Sequence, residues 1–268
     1  VTPFEIETGK PKNLHPEELS WSHLFSDLLT QLMAEHNDSV IISPATVKGS
    51  GLEDLFASYP KRTFDVGIAE GHALTLASGL AVAGTHPIVS VYSTFMQRAF
   101  DQIIHDIARM NLNITFLVDR SGLVGLDGET HQGIYDESFL LNTPNTVVTM
   151  PSSDEEAKYL LYESLKQHGP FFIRYPRDLL KKNHLIKDAD HHFGKWIMEC
   201  EAKAKRVAII AVGQLLRSLK EMIIKDELDV TLVNALYLKP HDREMLGLLS
   251  QYETIVIYDA YATEFGFA

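Results

Sequence analysis

Four short stretches of the sequence carry residue types that could do chemistry. The first is Phe64-Asp65-Val66-Gly67-Ile68-Ala69-Glu70-Gly71-His72, which reads as a strand end, a glycine turn and a helix start with a carboxylate at the turn. In parallel α/β sheets the carboxyl ends of the strands face the ligand crevice, so Glu70 sits where catalytic groups accumulate. Gly67, Ile68 and Ala69 offer it little hydration, and desolvation favours the neutral form of a carboxyl, which suits a group that shares or donates a proton. The same position also suits a carboxylate that merely favours the positive end of a helix dipole.

The second stretch is the loop Asp119-Arg120-Ser121-Gly122-Leu123-Val124-Gly125-Leu126-Asp127-Gly128-Glu129-Thr130-His131-Gln132-Gly133. Its four glycines let backbone approach a ligand closely, while Arg, Asp, Glu and His present titratable groups at the sheet edge. A long solvated loop is the plainer reading, against which stands the density of unlike polar groups. Third comes Tyr92-Ser93-Thr94-Phe95-Met96-Gln97-Arg98, where Tyr92 and Phe95 could stack on a heterocycle and Arg98 reach an anion, or serve as core aromatics beside a surface arginine. In the fourth, Arg174-Tyr175-Pro176-Arg177, two arginines leave a strand end together in the manner of a phosphate or carboxylate clamp.

The elements that would position these stretches follow from hydrophobic period and punctuation. Helices are expected over 20–37, 51–59, 69–83, 95–110 and 154–167, with Phe100, Ile103, Ile104 and Ile107 on the apolar side of the fourth. Strands are expected over 40–42, 62–66, 88–92, 114–118, 146–148 and 171–173. This alternation implies an α/β fold with a parallel sheet covered on both faces, and it brings all four stretches to one edge. A polar stretch over 178–197, with Lys181, Lys182, His184, Asp188, Asp190, His191 and His192, reads as a connector without recurring metal-ligand spacing. A second α/β unit follows, with strands over 207–210, 230–233 and 254–258 and helices over 215–224 and 242–249.

Composition bounds the function. The 268 residues hold 24 Lys and Arg against 36 Asp and Glu, a formal charge of −12, with 45% hydrophobic residues. The balance argues against nucleic-acid binding, which rests on excess cations, but a small anion responds to a local cluster instead. Cys200 is the only cysteine, so no internal disulfide forms and a reducing cytoplasmic setting fits. The most membrane-like stretch, over 73–92, is broken by Ser78, Gly79, Gly84, Thr85, His86 and Pro87, so no membrane span is expected. The sequence begins Val1-Thr2-Pro3 and ends Glu264-Phe265-Gly266-Phe267-Ala268, ends that read as those of a piece of something longer.

Together, the stretch at Asp65–Glu70, the stretch at Tyr92–Arg98 and the loop residues Asp119 to Gly125, Asp127-Gly128 and Thr130-His131 closely resemble the 1-deoxy-D-xylulose-5-phosphate synthase family, thiamine-diphosphate enzymes of the transketolase-like group. The likeness extends from Pro3-Phe4-Glu5-Ile6-Glu7-Thr8-Gly9 to Val233-Asn234-Ala235 and Lys239-Pro240. It implies an N-terminal linker segment over 1–17, a transketolase-like pyrimidine-binding domain over 18–180, a linker over 181–197 and an incomplete transketolase C-terminal domain over 198–268. It implies decarboxylative condensation of pyruvate with D-glyceraldehyde 3-phosphate, giving a precursor of isoprenoids, thiamine and pyridoxal phosphate, by a cytoplasmic homodimer.

The resemblance also implies residue roles. Glu70 matches the glutamate that bonds the cofactor's aminopyrimidine and promotes the imino tautomer whose nitrogen takes the thiazolium C2 proton. Phe95 stacks on the pyrimidine, Ile68 helps hold the cofactor bent, and Tyr92 lines both cofactor and substrate. Arg98, Arg120, Arg177 and His131 match substrate-site positions, with Arg120 and Arg177 suited to the acceptor phosphate. His131 could exchange protons with substrate, and Asp127 could orient it.

Gly71 stands where the family usually has Gln, and Thr46 where Met is usual. No Gly-Asp-Gly occurs, the pattern that holds Mg²⁺ and the diphosphate on a preceding domain. The chain alone is therefore expected neither to bind thiamine diphosphate tightly nor to turn over, and micromolar binding in a calorimetric titration would overturn this. Two other readings stay open: a subunit of a split transketolase or 2-oxo-acid dehydrogenase β-type enzyme, and a non-catalytic dimerisation module.

Overall fold

The computed structural model describes residues 5–8, 19–125, 127–180, 190–261 and 266–268. The expectations for Pro3, Phe4, Gly9, Leu126, Lys181, Lys182, His184, Asp188, Glu264 and Phe265 lie outside the described residues. Thirteen described strands run in chain order: β1 (Leu19–Ser20), β2 (Ser39–Ser43), β3 (Thr63–Asp65), β4 (His86–Tyr92), β5 (Thr115–Asp119), β6 (Val147–Thr149), β7 (Phe171–Arg174), β8 (Leu179–Leu180), β9 (Ile197–Cys200), β10 (Val207–Ala211), β11 (Thr231–Asn234), β12 (Tyr237–Lys239) and β13 (Thr254–Tyr258).

The larger sheet has seven strands in the order β12-β6-β7-β5-β4-β2-β3. From β6 to β3 every pairing is parallel, as the alternation predicts. The strands are nearly uniformly buried, with Ile41, Ile42, Ile88, Val89, Phe116 and Phe172 at 0% exposure. Such continuous apolar runs are what a sheet covered on both faces requires. Tyr92 stands beside Asp119 and Val118 beside Arg174, so the carboxyl ends of β4, β5 and β7 finish level with one another.

Two helices matter most for the site. Helix Glu70–Val82 buries Glu70, Ala73, Leu74, Ala77 and Ser78, an i, i+3, i+4 stripe whose small residues permit close packing. The second begins at Ser93 but is not the regular helix expected over 95–110. It passes through a 3₁₀ turn at Gln97–Ala99 and a π-helical segment at Ile103–Ala108. The wider π repeat breaks the 3.6-residue stripe: Ile103 and Ile107 remain buried, whereas Ile104 is 43% exposed and does not belong to the apolar side assigned to it.

The second sheet runs β13-β10-β11-β9, with β9 antiparallel to β11. All five residues of β13 are exposed at its open edge. The chain between β11 and helix Arg243–Leu249 contributes β12 to the larger sheet, antiparallel to β6. One buried cluster therefore joins Met150 and Phe171 to Trp196, Ile210, Leu236 and Tyr237. No helix among the described residues is long and apolar enough to cross a membrane.

Candidate active site

Glu70 owes its place to a turn at the end of β3. Asp65 Oδ1 accepts from the backbone amides of Ala45 at 3.0 Å and Gly67 at 2.9 Å, and Gly67 adopts φ 70°, which favours glycine. The helix then opens at Glu70, whose side chain is 3% exposed. Its dryness does not come from the flanks expected to supply it: Gly67 is exposed and Ile68 is 78% exposed. The carboxylate turns inward instead, and Arg98 Nη1 donates to Glu70 Oε1 at 2.6 Å. A Cβ on Gly71 would meet Gln102 no closer than 3.6 Å, so the absent side chain is not a steric requirement.

From the end of β4 the aromatic residues form a short stack. Tyr92 and Phe95 lie with centroids 5.5 Å apart and planes at 23°, and His131 meets Phe95 edge-on at 5.3 Å. The Arg98 guanidinium stands 4.9 Å from the Phe95 centroid, and that of Arg120 lies 4.0 Å from the Tyr92 centroid. Such cation–π placements hold a guanidinium plane while leaving part of its hydrogen-bonding fork free. Burial raises the Tyr92 hydroxyl above its ordinary value, with the Arg120 charge opposing.

The loop after β5 is closed at its base by reciprocal backbone bonds, Gly122 N to Gly133 O at 2.6 Å and Gly133 N to Gly122 O at 2.8 Å. A Cβ at Gly133 would lie 2.2 Å from the Arg120 carbonyl and 2.5 Å from Ser93 Oγ, so only glycine closes it there. Within the loop Asp127 binds two arginines, Arg120 through Oδ2 and Arg177 through Oδ1. Asp127 therefore bridges the cations rather than orienting His131, whose Nδ1 lies 3.1 Å from Thr130 Oγ1.

The clamp expected at the end of β7 is corrected by half. Arg177 is 41% exposed and reaches the loop, whereas Arg174 is fully buried. Arg174 binds Asp136 through Nε at 2.7 Å and Nη2 at 3.1 Å, Glu137 through Nη1, and the Tyr261 carbonyl at 3.0 Å. Its carboxylate partners lie on helix Asp136–Asn142, an element absent from the sequence reading. Burial pushes Glu137 up to about 7 despite the Arg174 charge, with Asp259 adding to the rise.

Two further residues of the site were given no role by sequence reasoning, Asp119 although it opens the second stretch, and Gly49. Asp119 is fully buried at the end of β5; its Oδ2 accepts from Ser22 at 3.0 Å and Ser50 at 3.2 Å, while Oδ1 has no partner among the described residues. Burial pushes it up to about 6 against those hydroxyls and Arg120. Gly49 lies against Tyr92, since a Cβ there would fall 1.7 Å from the phenol oxygen. The Lys48-Gly49-Ser50-Gly51 run after β2 was the available signal. Among the described residues no group of three or more His, Cys, Asp or Glu could hold a metal ion.

Residues 17–182 match the family model of the transketolase pyrimidine-binding domain. The chain belongs to this family. Among curated proteins it is 41% identical over 254 residues to the 1-deoxy-D-xylulose-5-phosphate synthase of Geobacillus sp. (strain WCH70), covering 91% of this chain and 39% of that protein. It is 40% identical over 266 residues to the enzyme of the same name from Clostridium botulinum (strain Eklund 17B / Type B), covering 97% and 42%. The chain thus spans about two-fifths of the length of these relatives.

Among solved structures, this pyrimidine-binding family member resembles a split-gene transketolase described as an inactive β4 tetramer, with a TM-score of 0.80 at 24% identity over 93% of this chain and 82% of that one. A transketolase from Campylobacter jejuni gives 0.77 at 17% identity, over 90% and 39%. At these identities the likeness is one of fold, and it agrees with the largely parallel sheet described above.

Proposed function

We propose that the chain is the pyrimidine-binding part, with an incomplete C-terminal domain, of a 1-deoxy-D-xylulose-5-phosphate synthase. In this reading the complete enzyme joins pyruvate to D-glyceraldehyde 3-phosphate with loss of CO2, using thiamine diphosphate and Mg²⁺. The observation that carries it is the convergence of Glu70, Phe95, His131 and the Arg120–Asp127–Arg177 bridge on one sheet edge. Identities of about 40% to synthases over nearly the whole chain support it.

The residues present fit one half of the cofactor. Glu70 is a buried carboxylate with Oε1 bonded to Arg98 and Oε2 without a hydrogen bond among the described residues, and Phe95 is a half-buried ring that meets the same guanidinium. These suit an aminopyrimidine, while the diphosphate and Mg²⁺ are assigned to a domain outside this chain. When bound, thiamine diphosphate would supply a carbon nucleophile and an electron sink for the decarboxylation of pyruvate. Glu70 Oε2 would share a proton with the pyrimidine ring nitrogen, Phe95 would offer the ring a flat face, and the 78% exposed Ile68 would support the cofactor.

On the substrate side, Arg120 and Arg177 offer guanidinium forks to the acceptor phosphate, whose oxygens compete with Asp127 for them. His131 exchanges a proton with the acceptor carbonyl, and Tyr92 walls the site behind Arg120. The exposure of every residue of β13 supports the reading that the second unit is incomplete, and the chain alone is assigned no turnover. In the complete synthase, Glu70→Gln should lower the rate of pyruvate decarboxylation at least ~100-fold, the scale of losing a proton-handling group. A rate within a factor of two of wild type would refute the role.

A further inference from the structure

Among the described residues, Arg98 is the one guanidinium in contact with both residues assigned to the cofactor ring. Its Nη1 donates to Glu70 Oε1 at 2.6 Å, and its plane stands 4.9 Å from the Phe95 centroid. The two contacts come from different elements, the first residue of helix Glu70–Val82 and the short helix Ser93–Met96 into which β4 runs. Arg98 itself sits in the 3₁₀ turn Gln97–Ala99 that interrupts the helix begun at Ser93. A local tightening of this kind, inside an otherwise helical run, changes the direction in which one side chain leaves the backbone.

The pairing is unlike an ordinary surface ion pair. Glu70 is 3% exposed and Arg98 53% exposed, so a half-solvated cation covers a carboxylate that is nearly buried. Such a carboxylate needs a fixed partner, because an unpaired buried charge is strongly unfavourable. The bond occupies Oε1 and thereby sets the plane of the carboxyl group, leaving Oε2 as the oxygen open to a ligand donor. With Nη1 on Glu70 and its plane beside Phe95, the guanidinium is fixed next to the two residues assigned to the cofactor ring.

We propose that Arg98 is the positioning residue for Glu70 and Phe95, orienting Glu70 Oε2 toward the cofactor ring, and is not a substrate ligand. This rests on the reading of Glu70 as the group that meets the aminopyrimidine. It separates Arg98 from Arg120 and Arg177, whose shared partner Asp127 lies in the substrate loop.

The test uses the complete synthase loaded with thiamine diphosphate and Mg²⁺. Two quantities are read in Arg98→Met and Arg98→Lys: affinity for thiamine diphosphate by calorimetry, and the rate of hydrogen–deuterium exchange at the cofactor C2 carbon by quench and NMR. Arg98→Met should weaken the affinity and slow the exchange by about tenfold each, the scale of a charge-assisted hydrogen bond. Arg98→Lys should recover most of both losses by restoring a cation to Oε1, and KM for pyruvate and for the aldehyde should stay within about twofold of wild type in both variants. Wild-type affinity and exchange in Arg98→Met, with KM for either substrate raised tenfold, would overturn the assignment and return Arg98 to the substrate site. Glu70→Gln separates the two levels. If it leaves exchange at the wild-type rate, the cofactor reading itself fails; if it slows exchange while Arg98→Met does not, only the role of Arg98 fails.

Discussion

Two arginine–carboxylate clusters leave the same sheet edge, and their stoichiometry is opposite. At the end of β7 one guanidinium, Arg174, serves two carboxylates, Asp136 and Glu137, and all three are fully buried. A few residues away two guanidinium groups, Arg120 and Arg177, share the single carboxylate of Asp127, with exposures of 14%, 41% and 19%. The first cluster has no cation to spare and no route for solvent, so it joins β7 to helix Asp136–Asn142 and to the Tyr261 carbonyl. The second carries an excess positive charge at a partly open surface, which is what an anionic ligand needs. In a protein of formal charge −12, that local surplus counts for more than the overall balance.

The comparison breaks most readily at Arg174. Arg174→Met should lower unfolding stability by about 3–5 kcal/mol, because it strands two buried carboxylates; urea denaturation checks this, and an unchanged midpoint would remove the distinction between the clusters. Arg177→Ala should act the other way round. With a half-exposed side chain, its loss should leave the midpoint nearly unchanged; on the proposed function, it should raise KM for the phosphorylated acceptor about tenfold in the complete enzyme, with KM for pyruvate unaffected. If the losses fell on stability instead, the Asp127 bridge would be structural too.

The smallest effect concerns pH. Glu137 is pushed up to about 7 in the folded chain from an ordinary value of 4.5. A carboxyl raised on folding contributes stability that is fully present below its unfolded value and is lost as pH rises through its folded value. Glu137→Gln, which mimics the protonated form, should therefore match wild type near pH 4.5 and gain on it progressively up to about pH 7. Thermal midpoints across that window, wild type against variant, test the sign; a variant that loses ground with rising pH would mean that the Arg174 charge outweighs burial.

Most of the framework was legible along the chain. The alternation of apolar strands with helices predicted the parallel sheet, and parallel topology alone carries four chemically rich stretches to one edge. Gly67 marked the turn into helix Glu70–Val82 through backbone freedom, an effect that extends over a few residues. Elements with weak local signals were missed. Tyr237–Lys239 is three residues long and followed by Pro240, and it is a strand because β6 offers it an edge. Helix Asp136–Asn142 opens with two carboxylates whose burial makes sense only once Arg174 is opposite them.

The sequence by itself determined which residue types could do chemistry here and on which edge of the sheet they would gather, because strand direction and side-chain period are short-range properties. Only the tertiary structure decided how those groups are matched. Arg98 meets a glutamate 28 positions away, Arg174 meets carboxylates 37 and 38 positions away, and Asp127 draws an arginine from beyond the end of β7. A long charged side chain can reach several partners from one backbone position. Its choice is settled by which of them is buried with it, and burial belongs to the packed whole.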